Sequence, residues 1–549
     1  MNALISLSPA PAAPAPAPAR LPPYLPLIVS LALAAGVEAF TSSAVSLALP
    51  RIAADFSASP DEISWAVTLY LAAFAVGLPL TAWLADGLGQ KKYLGLSMGL
   101  YALASAGCMV APTLPVFLGV RLVQGFAGAA FLARAIFAFT KELRPPVLMH
   151  ALFVFIAGFS LRALGLPVGG YLVDHLSWRW LFAVPVAVLG LGALPILKFS
   201  REIWPRRSRP APDFAGLVLL VAGLGALLVL LFRGERDEWF ASPVIVALAA
   251  VAALSLPMFF WRQSRRSHAH HVFSLAALRY RGMGVGVTLS FLAGIMLIGG
   301  VYVLPQFFLG IVRCDAYRAG WLMSVDSWAL MAGLAGAAWT LGKVMTRSLL
   351  TLSGALFTAA MLLFAWRVTS DTPVEALYLP IVLHGIAVGL ALPPIGIFSF
   401  RAVAGDHVAN SEGRALHYTA RQIGGVVAVA LAVVMLDSRA TVHSSQLAEH
   451  VTASNAPLAQ TLALVSRGLV SRGLAPASAT AGARAIFGRI VAREANVLAF
   501  RDLFFAAAAL GFVVSALSFG LPKFRGAGRS PSTPAAAPVL VPLTFSTPV

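Results

Sequence analysis

Charge is scarce in this chain. Of its 549 residues only 11% are Asp, Glu, Lys or Arg, whereas 59% are hydrophobic, far more apolar surface than a water-soluble globule buries. A bilayer is the solvent such a composition calls for. Cysteine is nearly absent, with Cys108 inside an apolar run and Cys314 in a short connection, which excludes a disulfide framework and any metal-ligand spacing. Acids are the rarer charge, 22 Asp and Glu against 40 Lys and Arg, yet the bases are not gathered into one domain with stacking aromatics, so nucleic acid is not an expected partner. There is no Gly-Lys-Ser/Thr phosphate loop, no zinc spacing and no nucleophile elbow, so neither an enzyme nor a bound cofactor is expected.

What the chain has is long apolar runs and a mean hydropathy of +0.83. Stretches at 25–49, 62–82, 94–112, 115–139, 147–172, 179–198, 213–232, 242–261, 283–308, 319–341, 349–366, 375–399, 415–436 and 501–521 have the length that spans roughly 30 Å of hydrocarbon as helix. They are too long and too uniformly apolar for alternating barrel strands. An all-α polytopic membrane protein with fourteen transmembrane helices is predicted. The segment from Thr81 to Tyr93 is read as a loop. Residues 1–23 and 523–549, rich in Pro and Ala, read as disordered tails.

Alternate connections are rich in bases. One set holds Lys91, Lys92, Lys198, Arg201, Arg206, Arg207, Arg209, Arg262, Arg265, Arg266, Lys343 and Arg347; the other holds fewer, among them Arg51, Arg179, Arg233 and Arg313. Because bases are retained on the cytoplasmic side, both termini are placed inside. One outer connection, 437–500, is long and carries amphipathic stretches such as 445–451 and 483–497. A connection of that length in a compact membrane domain has a task, either capping an exit or docking a partner.

Several motifs stand on these helices. Ser64, Trp65 and Thr68 to Tyr70 lead into Ala82-Trp83-Leu84-Ala85-Asp86-Gly87-Leu88-Gly89-Gln90-Lys91-Lys92, where Gly89 makes a turn and Asp86 and Lys91 supply charge contacts that can break and reform. Arg121-Leu122-Val123-Gln124-Gly125 puts an arginine inside the fourth apolar run, and Gly165, Gly169 and Gly170 give the fifth a small-residue face. Further along come Asp213-Phe214-Ala215-Gly216, the run from Gly234 to Ser242, Tyr302-Val303-Leu304-Pro305-Gln306, Gly385 with Gly389, and Arg421-Gln422-Ile423-Gly424-Gly425.

As an ordered set these motifs resemble the major facilitator superfamily, specifically the fourteen-helix EmrB/QacA branch of drug:proton antiporters, over about Leu25 to Leu521. The resemblance implies two six-helix bundles, 24–200 and 266–522, built from inverted repeats, with two inserted helices in 201–265. It implies a proton-driven efflux permease of the bacterial inner membrane, with small amphipathic compounds or drugs bound between the bundles near the midplane. For members with the long outer connection it also implies a periplasmic adaptor and an outer-membrane channel as partners. Where the branch carries an Asp and an Asn in its first helix, this chain has Thr41 and Ser46, leaving Glu38 as the only acid of that helix.

Ionisable groups inside spans are costly and mark functional passages. Glu38, Arg121 and Asp326 are the expected proton-coupling residues, with Thr41, Gln124, Arg162, Gln306 and His384 expected at the substrate, and Asp86, Gly89, Lys91, Gly165, Gly169 and Arg421 at the gates. Glu38 also fits a structural carboxylate held ionised by an arginine, and His384 a satisfied core histidine. Arg162 and Arg134 are extra cations, which favours an anionic substrate, although Arg134 also fits snorkelling to the inner interface. Trp321 and Trp328 read as packing or interfacial aromatics on opposite sides of their helix. Two other readings remain open at this point: an uncoupled or importing transporter of an organic anion, and a non-transporting membrane scaffold or sensor that uses 437–500 as its interaction module.

Overall fold

The computed structural model describes residues 25–141, 154, 157–158, 160–198, 213–234, 237–264, 276–340, 344–401, 403, 407–449 and 456–521. The expected terminal tails and most of the basic connection at 199–212 lie outside them. The helices are α1 (Leu25–Asp55), α2 (Pro60–Leu88), α3 (Gln90–Val110), α4 (Leu114–Lys141), α5 (Leu161–His175), α6 (Trp178–Lys198), α7 (Phe214–Arg233) and α8 (Pro243–Ser264). Then follow α9 (Arg281–Gly310), α10 (Ala316–Thr340), α11 (Thr346–Arg367), α12 (Tyr378–Arg401), α13 (His407–Glu449), α14 (Ala456–Val470) and α15 (Pro476–Phe519). Among the described residues, 12 helices are long and apolar enough to cross a membrane. The two remaining apolar stretches are also helical where described, as α5 and α10.

Local sequence accounts for the helix ends. Ser59 caps α2 reciprocally with Glu62, its hydroxyl accepting from the Glu62 amide at 3.1 Å while its own amide donates to Glu62 Oε2 at 2.8 Å, a capping box that satisfies two otherwise orphaned donors. Prolines inside α1, α2, α5, α9 and α12 interrupt the ladder without ending the helix, as membrane helices tolerate when neighbours satisfy the freed carbonyls. The expected loop from Thr81 to Tyr93 is corrected by the structure: α2 runs to Leu88 and α3 begins at Gln90. Ala82, Trp83, Leu84 and Ala85 continue the helix, and one residue, Gly89, makes the break with a φ of 88° that a side chain would oppose.

Two bundles result. In the first, α1 packs on α4 and α5, and α2 and α3 on α4; in the second, α9 packs on α12 and α13, α10 on α12, and α11 on α12 and α15. The bundles meet along two seams, α5 with α10 and α2 with α13. Helix α7 lies against both α2 and α13 and pairs with α8, so Leu220, Leu224 and Leu228 join Ala72, Val76 and Leu80 from one bundle and Val426 and Val429 from the other in a single apolar cluster. The end of the molecule carrying Leu25 is called the near end below, and the end carrying Asp55 the far end. At the far end Asp55 accepts from Trp178 Nε1 at 2.8 Å and from Arg179 at 2.6 Å, tying α1 to α6.

The 437–500 connection is largely helix. Helix α13 continues unbroken to Glu449, and α15 begins at Pro476, because the amphipathic stretches carry the helical period outward with no internal proline or glycine pair to stop it. His443 Nε2 meets Asp502 Oδ2 at 2.9 Å, holding α13 to α15 where they leave the bundle, and α14 packs on α15.

Candidate functional site

Small residues set the distances between the helices that carry charge. Just before α5, the Gly158 carbonyl fills the space beside Gly36 of α1, and on α5 a β-carbon at Gly165 would lie 2.6 Å from Phe40 Cδ2. Helix α5 thus runs parallel to α1, with Arg162 between these two contacts and level with Glu38. On its other side, α5 receives α10: Ser324 Oγ donates to the Ala163 carbonyl, Gly320 sits against the Leu166 carbonyl, and Gly170 against that of Ala316. Arg162 therefore stands in the seam between bundles, with Glu38 on α1 and Asp326 on α10 as its flanking acids. It is 5% exposed, and among the described residues its Nε and Nη2 have no hydrogen-bond partner.

Around Glu38, which keeps partial access to solvent, the partners come from α2, α3 and α4. Tyr70 Oη donates to Glu38 Oε1 at 2.6 Å. The guanidinium of Arg121, 1% exposed, lies over the Tyr70 ring with Cζ 4.1 Å from its centroid, close enough for a desolvated cation–π contact. Arg121 also donates to Gln124 Oε1 at 2.5 Å and to the Ala66 carbonyl at 3.3 Å. Gln124 passes the chain on, donating to Ser105 Oγ at 2.7 Å. The approach is possible because the Tyr70 carbonyl occupies the space a β-carbon at Gly125 would need. Tyr101 completes the wall: a β-carbon at Gly128 would meet its ring at 3.0 Å and Glu38 Cγ at 3.2 Å.

In the second bundle Asp326, 3% exposed, accepts from or shares a proton with His384 Nδ1 at 2.7 Å, and the imidazole packs at 5.6 Å from the Phe357 ring. Thr41 is buried but gives its hydroxyl to the Val37 carbonyl at 2.8 Å. Of the residues expected to act together, the structure brings Glu38, Arg121, Gln124 and Arg162 around one core, with Asp326 and His384 across the seam. Gln306 sits half-buried on α9, and among the described residues no hydrogen bond joins it to them. Tyr70 and Tyr101 are the residues the sequence did not mark as part of this site; an aromatic in an apolar run carries no signal of its own, and only the position of Tyr70 inside the second-helix motif pointed to it.

The expected gating residues lie elsewhere. Lys91 donates to the Lys198 carbonyl at 2.9 Å, joining α3 to α6 at the near end, and Gly89 is the break already described. Asp86 lies in the last turn of α2, its side chain outside the described residues. Gly165 and Gly169 both pack on Phe40. The Arg421 guanidinium lies over the Tyr418 ring at 4.7 Å. Trp321 and Trp328, seven residues apart and so on one helical face rather than on opposite sides, are 51% and 45% exposed. Among the described residues no group of His, Cys, Asp and Glu is arranged to hold a metal.

Two helical bundles that meet on glycine-lined seams, with arginines and acids buried where they meet, define a multi-pass membrane transporter rather than an enzyme. The chain belongs to the Major Facilitator Superfamily, whose model matches residues 31–429. It is 25% identical over 515 residues to the fatty acid resistance protein FarB of Neisseria gonorrhoeae, covering 91% of this chain and 96% of that one. It is 26% identical to the multidrug export protein EmrB of Escherichia coli K12, over 79% of this chain and 84% of the relative. Among solved structures, the proton:xylose symporter XylE bound to 6-bromo-6-deoxy-D-glucose superposes with a TM-score of 0.55 at 13% identity, covering 91% of this chain and 96% of that one. An inward-facing bacterial homologue of the human lysosomal transporter Spinster gives 0.51 at 15% identity, covering 91% and 98%. These likenesses share the fold.

Proposed function

We propose that this protein is a proton-coupled export permease for small amphipathic compounds, working as an antiporter in a bacterial inner membrane with both termini in the cytoplasm and its two bundles rocking about the midplane. The observation that carries the reading is Glu38 itself, a largely buried carboxylate on a membrane helix that accepts from Tyr70 and lies close to arginines on two other helices. A change of charge on such a group is felt by the helices packed around it. The names of the relatives, multidrug export and fatty acid resistance, agree with amphipathic cargo. In this reading Arg121 couples the proton, Asp326 is a second proton site, and Arg162 with Gln124 and His384 faces the substrate. The far-end extension of α13 to α15 is the surface offered to a periplasmic adaptor and, through it, an outer-membrane channel.

The test is flux of ethidium and of radiolabelled decanoate in proteoliposomes with an imposed pH gradient. Wild type is expected to move at least one probe in response to the gradient, and Glu38→Gln to lose that response by at least tenfold. Equal, gradient-dependent flux in the variant would remove Glu38 from the mechanism. A second reading, an uncoupled or importing carrier of an organic anion, is favoured by the two Arg162 nitrogens without acceptors. It predicts decanoate flux that is unchanged when the gradient is collapsed and lost in Arg162→Ala.

A further inference from the structure

Among the described residues Glu38 and Arg121 form no ion pair, although both sit against Tyr70, which is 1% exposed. The phenol joins them in two different ways. Its O–H edge donates to Glu38 Oε1 at 2.6 Å, and its π face carries the Arg121 guanidinium at 4.1 Å. The ring is fixed from behind as well: the Tyr70 carbonyl seats on Gly125 of α4, and Arg121 Nε reaches the Ala66 carbonyl one turn earlier on α2. With so many constraints the ring has no freedom to swing aside.

We propose that Tyr70 is a positioning residue that transmits the charge state of Glu38 to Arg121, so that proton binding on α1 is read on α4 through an aromatic ring rather than through a salt bridge. When Glu38 is ionised, its hydrogen bond draws the phenol proton toward the carboxylate and leaves more electron density on the ring, which strengthens its hold on the cation above it. When Glu38 is protonated, that hydrogen bond weakens, the face becomes a poorer site for the guanidinium, and Arg121 is left to its hydrogen bonds with Gln124 and the Ala66 carbonyl alone. The groups that face this pair are Arg162 from α5, Tyr101 from α3 and Gln124 from α4. Arg162 acts on Glu38 through charge, as does Arg121 in addition to its contact with the ring, and Cys108 of α3 also lies within reach of the Arg121 charge. The inference rests on Glu38 being the proton site proposed above.

Proton uptake by purified protein in detergent, followed with a pH-indicating dye after a pH jump, tests it without a substrate. Wild type minus Glu38→Gln isolates the Glu38 step; absence of any such difference overturns the underlying reading. If the step exists, Tyr70→Phe keeps the ring over Arg121 but removes the donor. Glu38 uptake is then expected to occur at a pH higher by about one unit, a tenfold change in proton affinity, at an unchanged thermal unfolding midpoint. Arg121→Gln is expected to shift the uptake in wild type and to shift it measurably less in the Tyr70→Phe background, where only the through-space charge of Arg121 still reaches Glu38. Identical uptake in wild type and Tyr70→Phe, or an Arg121→Gln shift that ignores the background, overturns the relay while leaving Glu38 as the proton site.

Discussion

Gly125 and Gly87 separate two meanings of the same residue. At Gly125 the Tyr70 carbonyl already occupies the space of a β-carbon, whereas at Gly87 nothing lies within 4 Å. Gly125→Ala must push α2 from α4, and overpacking of this kind costs roughly 1–3 kcal/mol. We expect a lowered unfolding midpoint and a matching loss of flux in Gly125→Ala, and neither in Gly87→Ala; equal stability of the two variants would mean that α2 and α4 are not in contact there. The sequence marked Gly125 through its neighbour Arg121, since an arginine in an apolar run is visible in one dimension. It did not mark Tyr101, whose place beside Glu38 and Gly128 depends on α3 packing against α4.

At the scale of helices, α7 is the informative element, because it touches both bundles and is fastened at each end. At the near end Asp213, 2% exposed, caps the helix by accepting from the Gly216 amide at 3.1 Å and pairs with Arg262 of α8 at 2.9 Å. At the far end Arg233 pairs with Asp237 at 2.6 Å, donates to Ser64 Oγ at 3.0 Å and lies over the Trp65 ring at 4.7 Å. The far anchor is to the first bundle, through Ser64 and Trp65 of α2. Asp213→Ala removes a cap and a buried acid together, and we expect a loss of about 2 kcal/mol seen as a lower unfolding midpoint. Asp371→Ala, whose side chain is 92% exposed beside Arg493, is expected to change nothing measurable. Both motifs that meet at Arg233 were visible as separate landmarks in the sequence. Their contact was not, because Ser64 and Arg233 lie 169 positions apart and no local pattern encodes which helix an inserted pair leans on. The break between α2 and α3 was misjudged for the opposite reason, a motif suggesting a loop where the residues themselves favour helix up to one glycine.

Over the whole molecule, the seam between α5 and α10 closes the far end. The Tyr317 amide donates to Asp174 Oδ2 at 2.9 Å, and Gly170 meets Ala316 beside it. Alternating access requires this seam to part. With Cys108 and Cys314 replaced by serine, the pair Asp174→Cys and Tyr317→Cys is expected to crosslink readily and to stop flux until reduced; full flux in the crosslinked protein would show that the seam stays shut during transport. The helical class and the bilayer setting were legible from apolar run length alone, since hydrocarbon thickness dictates it. The pairing of bundles was not, because small residues at Gly165, Gly170 and Gly320 announce close approach without naming the partner.

Helix α15 has 44 residues in one piece, about 66 Å at 1.5 Å per residue, of which roughly 30 Å suffices for the hydrocarbon. The remainder stands off the far end as a stiff arm rooted in the second bundle beside α11. Any rocking of that bundle is magnified at the tip: a tilt of about 10° sweeps the outer half of the rod sideways by roughly 6 Å, taking the overhang from the same rise per residue. Under the proposed rocking cycle, a body resting on that arm would receive a mechanical stroke at each turn without touching the cargo.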